Sequence, residues 1–266
     1  MFQKVLVLGF GNMSSAIVKR MLSAGTVDKS AFYVVSHGGK STQNMESLDL
    51  HGFDGQAGFD TVLLGLKPQN YHEILPEYEK YLKPDAVIVS MMAGVQSQNI
   101  LKYTQNQTFS VVRIMPNTPC SIGEGVVGTF FPVSWNQNDK LKFQEIFECC
   151  GDFVEVTHED DLHIITAIAG SGPAYFFYVM EAMAKKAEAC GLDYDTAQRL
   201  VAATCKGAGA YATFSLKEKS ITELKLDVVS KGGTTEAGLN MLDSCDVSTS
   251  VEKAVGESFK KSIKLS

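Results

Sequence analysis

Short apolar runs alternate with amphipathic stretches along the first 157 residues, and after about His158 they stop. Val5-Leu6-Val7-Leu8, Phe32-Tyr33-Val34-Val35, Thr61 to Leu66, Ala86 to Ser90 and Ser110 to Met115 each read as a buried strand. Helical stretches lie between them: about Asn12 to Ala24, one starting near Pro68, and Gln96 to Tyr103. Strand, helix, strand in this order requires crossover connections, and crossovers make a mostly parallel sheet covered on both faces. Gly125 to Phe131, a helix over Gln137 to Cys150 and Phe153 to Val156 complete that layer. Beyond it, helical periodicity takes over. Pro173 opens a segment running to Cys190, with Gly191 as its C-cap. Asp195 to Thr213 follows, with small residues at 202, 203, 207 to 210 and 212 that permit another helix to approach closely. Shorter helices are expected at Ser220 to Leu224, Thr235 to Leu242 and Ser248 to Lys264. The boundary divides the chain into an α/β domain, residues 1–157, and an all-helical domain, residues 158–266.

The turn after the first strand narrows the chemistry. Gly9-Phe10-Gly11-Asn12-Met13-Ser14 closes a strand and opens a helix, the context in which a glycine pair cradles a dinucleotide. Gly9 permits the tight turn, and Gly11 lets the backbone approach a pyrophosphate seated on the helix N-terminus with Asn12 and Met13. Ser14 replaces the third glycine and is small enough for close packing. The first domain is therefore read as a Rossmann domain. At the end of the second strand, a carboxylate would bind the ribose 2′-hydroxyl of NAD and repel a 2′-phosphate. The residues there are Ser36-His37-Gly38-Gly39-Lys40-Ser41, with no acid. The hydroxyl of Ser36, the ring of His37 and the cation of Lys40 suit a phosphate, so the expected cofactor is NADPH, with NADH as the second candidate. Leu66-Lys67-Pro68-Gln69 and Met92-Ala93-Gly94 lie at strand ends that face such a crevice. They add Leu66, Lys67 and Ala93 to the candidate cofactor residues.

Composition closes off several other classes. The net charge of −6 and the lack of a dense Lys/Arg run argue against a nucleic-acid partner. Six cysteines without a C-x-x-C pair read as free thiols in a reducing cytoplasm, the expected location. No signal-peptide pattern is seen at the first residues and no apolar run of bilayer length is expected, so no membrane partner is assigned. The five histidines do not pair at i, i+4, and no metal is expected. Neither a serine-hydrolase elbow nor a Walker A sequence occurs.

Three later segments carry a resemblance. They are Arg113-Ile114-Met115-Pro116-Asn117-Thr118-Pro119 with Gly123-Glu124-Gly125; Gly170-Ser171-Gly172-Pro173-Ala174-Tyr175; and Ser230-Lys231-Gly232-Gly233-Thr234-Thr235 with Ala237-Gly238-Leu239. Together with the first glycine turn and Lys67-Pro68-Gln69, their order and spacing resemble pyrroline-5-carboxylate reductase over nearly the whole chain. That resemblance implies NADPH-dependent reduction of L-1-pyrroline-5-carboxylate to L-proline, a second domain that interlocks in a homodimer, and in some cases further assembly to a decamer. It places the substrate beside Gly232, Gly233, Thr234 and Thr235, with Thr235 at the ring nitrogen. Ser171 and Glu159 are expected near the substrate and Asn117 near the cofactor. Read without the family, Gly-Gly-Thr-Thr before a helix presents several backbone N–H groups to an anion, and equally suits a simple glycine turn with a threonine cap. Ser171 has two readings as well, a cap for the long helix or a group lining the site. Tyr175 and Phe176-Phe177-Tyr178 read as core or dimer packing.

Several positions depart from the family pattern. Lys231 stands where proline is usual, Leu226 where an acid is common, and Glu236 where an apolar residue is common. Ser14 and Met91-Met92 replace smaller residues, and no Asn-containing counterpart is evident around Gly52 to Gly58. Lys231 would attract a substrate carboxylate and Glu236 would oppose it or complement the helix dipole. The competing readings are a non-catalytic NADPH-binding regulatory paralogue and a reductase of a related cyclic imine. β-Hydroxy-acid reductases of the same architecture carry a lysine early in the second domain. Here the first lysines after Gly172 are Lys185-Lys186.

Overall fold

The structure, a computed structural model, describes residues 1–35 and 40–265, without the side chains of 40–42. In chain order the elements of the first part are β1 (Val5–Leu8), α1 (Asn12–Ala24), β2 (Phe32–Val35), α2 (Lys40–Ser47), β3 (His51–Gly52) and β4 (Phe59–Leu64). They continue with α3 (Tyr71–Tyr78), β5 (Leu82–Ser90), α4 (Ser97–Leu101), β6 (Ser110–Pro116), β7 (Gly125–Phe130), α5 (Gln137–Phe147) and β8 (Gly151–Glu155). The helical part holds α6 (Leu162–Ile165), α7 (Gly172–Ala189), α8 (Tyr194–Ser215), α9 (Ile221–Asp227), α10 (Thr234–Ser244) and α11 (Val247–Ile263).

The described chain divides into two compact units, Met1–Ser171 together with the stretch from Glu257 onward, and Gly172–Gly256. In the first, one eight-stranded sheet has the order β3-β2-β1-β4-β5-β6-β7-β8. Every neighbouring pair is parallel except β6 and β7. The exception follows from the connection: Thr118–Ile122 forms a 3₁₀ turn closed by Gly123 at φ +79°, too short for a crossover. Alternation along the strands sorts the core into two layers. Val5 and Val7 pack with Ile17, Met21, Phe143 and Phe147 on one face, while Leu6 and Leu8 pack with Val62, Leu75, Ile88 and Ile100 on the other.

Two expectations change here. The two-residue strand β3 is not expected from the sequence, because His51-Gly52 carries no apolar pattern; it pairs with Tyr33 and Val34 through the backbone and a contact between the His51 and Tyr33 rings. The expectation that no stretch reaches bilayer length is also corrected. Glu159–Ala189 is one continuous helical path of 31 residues whose most apolar window has a mean hydropathy of 1.3. In the sequence, Gly170 to Pro173 looks like a break. In the structure, Thr166–Gly170 forms a π-helical turn in which the Ser171 N–H donates to the Thr166 carbonyl (2.9 Å), and the helix continues through Pro173.

The second unit is a pair of long helices with shorter ones around it. α7 ends at Gly191 (φ +97°), whose N–H donates to the Glu188 carbonyl (2.8 Å), and α8 starts where the Asp193 side chain accepts from the Thr196 N–H (2.9 Å). α9 begins with a capping box between Ser220 and Glu223. The buried core between α7 and α8 consists of Ala184, Ala197 and Val201. Gly207 and Gly209 face open space, so the small-residue stripe of α8 has no covering helix in the described chain.

Candidate active site

The site in the first unit grows from β1. Gly9 turns the chain at φ +85°, where a Cβ would lie 2.7 Å from the Gly65 carbonyl oxygen, so β1 and β4 end in contact that only glycine permits. Gly65 donates back to the Leu8 carbonyl (2.9 Å). Ser14 completes this crossing: its hydroxyl donates to the Gly9 carbonyl (2.8 Å) and is buried. The replaced third glycine is thus a small residue that also ties the turn down. Gly11 has nothing within 4 Å of a notional Cβ, and no side chain caps α1, whose first turn carries no acid. Exposed Asn12 and half-buried Met13 follow, so the first N–H groups of α1 and the positive end of its dipole face open space at Gly11. Those residues fit a dinucleotide pyrophosphate.

Other strand ends reach the same edge of the sheet. Because β1, β4, β5 and β6 are parallel neighbours, their carboxyl ends lie side by side. Leu66 and exposed Lys67 follow β4; Ala93, with Gly94 at φ +78°, follows β5; Asn117 follows β6. Sequence reasoning missed Asn44 on α2, whose Nδ2 donates to the Phe10 carbonyl and to the Ser15 hydroxyl (3.2 Å each), clasping the glycine turn. No local pattern marks it, since the partners lie 34 and 29 residues away. The assignments to Ser36 and His37, and to the Lys40 side chain, fall outside the described residues.

Asn117 explains how the π-helical turn persists. Pro173 has no N–H to offer the Ala169 carbonyl one turn back. Asn117 Nδ2 donates to that carbonyl (3.1 Å), while its Oδ1 accepts from the Val126 N–H (2.9 Å). The side chain is therefore committed within the protein, and it is the Asn117 backbone that remains at the crevice edge.

Glu159 lies near the same edge. Its Oε1 accepts from the Ser97 N–H (2.6 Å), the Ser97 hydroxyl (2.7 Å) and Arg113 Nη1 (3.2 Å). Arg113 is buried inside the sheet, and its Nη2 reaches the Met92 carbonyl at 3.5 Å. Burial pushes the guanidinium pKa down, and the Glu159 carboxylate opposes that shift. Arg113 Nε has no hydrogen-bond partner among the described residues. Glu159 thus anchors the start of α4 and balances a buried cation. Ser171 does not cap a helix end, because the path through the π turn is continuous; its hydroxyl lies 2.9 Å from that of Ser258.

The Gly232 to Thr235 turn belongs to the second unit. Gly232 has φ +74°, and its N–H donates to Glu236 Oε2 (2.7 Å). Gly233 donates to the Ser230 carbonyl (2.9 Å) and is the N-cap of α10, which no side chain caps. The Glu236 side chain has folded back onto the turn, so the amides of the first turn open to a ligand are those of Thr234, Thr235 and Glu236. Both threonines are exposed.

Comparison with known proteins places these features in a family. A family model for pyrroline-5-carboxylate reductase dimerisation matches residues 159–265, and one for NADP oxidoreductases that are coenzyme F420-dependent matches residues 4–94. The chain is 30% identical to a pyrroline-5-carboxylate reductase of Haemophilus influenzae over 262 residues, covering 97% of this chain and 96% of the relative. It is 29% identical to pyrroline-5-carboxylate reductase 2 of Bacillus subtilis, covering 99% and 95%. The crystal structure of Plasmodium falciparum pyrroline carboxylate reductase with NADP bound superposes with a TM-score of 0.86 at 27% identity, covering 98% and 97%. That of a Coxiella burnetii pyrroline-5-carboxylate reductase gives 0.84 at 29% identity, covering 100% and 99%. With the dinucleotide turn at its first strand and these relatives matched from end to end, the chain belongs to the pyrroline-5-carboxylate reductase family.

Proposed function

We propose that this protein reduces L-1-pyrroline-5-carboxylate to L-proline, with NADPH as the hydride donor. The observation that carries the reading is the open, uncapped N-terminus of α1 at Gly11, at the sheet edge where four parallel strands end, in a chain of this family. Bound there, NADPH would supply the hydride that reduces the imine carbon of the ring. Gly9, Gly11, Asn12 and Met13 bind its pyrophosphate through main-chain N–H groups. Ser36, His37 and Lys40 select the 2′-phosphate, and Leu66, Lys67, Ala93 and the Asn117 backbone line the rest of the crevice. NADH serves as a weaker donor.

Residues 1–157 act as the dinucleotide-binding domain and residues 158–266 as the substrate and dimerisation domain. Gly232 and Gly233 shape the substrate turn, and the Thr234 and Thr235 amides hold the carboxylate. The Thr235 hydroxyl both donates and accepts, which suits a ring nitrogen passing from imine to amine. A protonated imine is already electrophilic, so the protein's contribution is orientation and polar placement. Glu159 and Ser171 support the site through Arg113 and Ser258. The working assembly is a homodimer, with dimers gathering into a decamer as the finer reading. Six free cysteines are consistent with work in the cytoplasm.

One assay tests this. Purified protein, NADPH and the cyclic imine should consume NADPH and yield proline. Tight NADPH binding without turnover would instead mark a regulatory paralogue, and turnover only with other cyclic imines a related reductase. Losing one hydrogen bond of about 1–2 kcal/mol corresponds to roughly ten-fold in rate. Thr235→Ala should therefore lower kcat by about that factor and leave NADPH affinity unchanged. Unaltered kinetics remove Thr235 from its role.

A further inference from the structure

Three of the six cysteines meet at one place that adjoins the crevice through Cys120, whose thiol donates to Asn117 Oδ1 (3.7 Å). Cys149 and Cys150 end the turn after α5, with their sulfurs 3.9 Å apart, and Cys120 in the turn after β6 interacts with Cys150. Glycines allow the approach. A Cβ at Gly125 would strike Cys120, and one at Gly151 would strike the Gly125 backbone. Cys150 and Cys120 are buried, whereas Cys149 is half-buried and within reach of solvent.

The surroundings of Cys149 favour its thiolate. Cys149 Sγ lies 3.9 Å from Cys150 Sγ and 3.7 Å from the Thr26 hydroxyl, and the Arg20 guanidinium is held beside it by a bond from Nε to the Cys149 carbonyl (2.6 Å); against these, its protonated form can donate to the Ile146 carbonyl (3.3 Å). Together these bring its pKa down to about 6. Cys150 is shifted upward by its contacts with the Cys120 and Cys149 thiols and by burial. A nucleophilic thiolate near the surface, with a protonated thiol beside it and a third thiol beyond, has the composition of a reactive and resolving cysteine set.

We propose that Cys149 is an oxidation site for hydroperoxides, resolved by Cys150 and then by Cys120. The Cys149 thiolate attacks one peroxide oxygen and the O–O bond breaks. Hydrogen peroxide is reduced to water as Cys149 becomes a sulfenic acid. The Cys150 sulfur then displaces the sulfenic oxygen, which leaves as a second water, and a Cys149–Cys150 disulfide forms. Adjacent cysteines make a strained, readily cleaved disulfide. Cys120 attacks the Cys150 sulfur, and Cys149 departs as thiolate, the better leaving group because its pKa is the lower. The stable product is a Cys120–Cys150 disulfide with Cys149 free again. The balance is two thiols oxidised to one disulfide and one peroxide reduced to two waters.

The test is a timed, low dose of hydrogen peroxide on the full-length protein, followed by thiol alkylation and peptide mass mapping without reductant. Tandem fragmentation separates the two adjacent cysteines. With its thiolate favoured, Cys149 should react several-fold faster than the exposed Cys190 and Cys245. A peptide link between Cys120 and Cys150, lighter by two hydrogens, should follow. Cys149→Ser should leave Cys120 and Cys150 reduced at the same dose, and Cys150→Ser should leave a Cys149 sulfenic acid that dimedone traps. Three results overturn the proposal: Cys190 or Cys245 reacting first, the Cys120–Cys150 link forming at the wild-type rate in Cys149→Ser, or dimedone-trapped Cys149 in the wild type with no link at all. The wild-type measurement needs no variant to fold.

Discussion

The two units bury their apolar residues very differently. In the sheet unit, Phe143 packs face to face with Phe147 at 4.6 Å and edge-on with Phe2 and Phe131, all deep in the core. In the helical unit, the buried core is two alanines and a valine, while Phe176, Phe177, Tyr178, Tyr211 and Phe214 lie exposed on α7 and α8. A helix pair with so thin a core cannot offset its ordering entropy alone. Its apolar surface lies in the region matched by the dimerisation model. The first unit is therefore stabilised from within, whereas the second needs a second copy of the chain.

Substitutions can break this contrast or sharpen it. The largest effect is expected for Phe214→Glu. Phe214 is 81% exposed in the single chain, yet a charge there would be buried unpaired in a dimer, at a cost of several kcal/mol. Light scattering should show monomers and the NADPH assay little activity. Val133→Glu, at a 98% exposed position of the sheet unit, should change neither. If both variants stay dimeric, the surface around Phe214 is not the interface. Next comes Phe143→Ala, which should cost about 3–5 kcal/mol in denaturant unfolding without altering the oligomeric state. The smallest is Asn117→Ala, which strands the Ala169 carbonyl and the Val126 N–H at about 1–3 kcal/mol for a buried unsatisfied group. Its signature is faster amide exchange over 166–171, with the sheet still protected. An unchanged exchange pattern there removes Asn117 as the support of the π-helical turn.

Much of this architecture was legible in advance, for reasons that differ by region. β1, β2, β5 and β6 are marked by runs that must be buried on both faces, and α1 by glycines that no other turn would need. Helix ends at Gly191 and Ser220 show in local capping chemistry. β3 was invisible because its two residues, His51 and Gly52, carry no apolar pattern. The continuity of Glu159–Ala189 was hidden because Gly170-Ser171-Gly172-Pro173 reads as a breaker, and only a distant amide from Asn117 makes it tolerable. Within the site, the residue types at the two glycine turns were evident, but their partners were not. Glu236 on Gly232, Asn44 on Phe10, Glu159 on Ser97 and Arg113 are side-chain choices made across space.

By itself, the sequence determined most of the strands and helices, though not α2 or β3, together with the dinucleotide turn and the family, since these rest on periodicity and on backbone conformations that particular residues permit or forbid. The tertiary structure alone decided which buried carbonyl meets which donor, which carboxylate balances Arg113, and that Cys120 shares one site with the adjacent Cys149 and Cys150, about 30 residues further along the chain. Those outcomes depend on distances between segments that no local pattern encodes, and burial makes each unsatisfied polar group costly enough to force a choice.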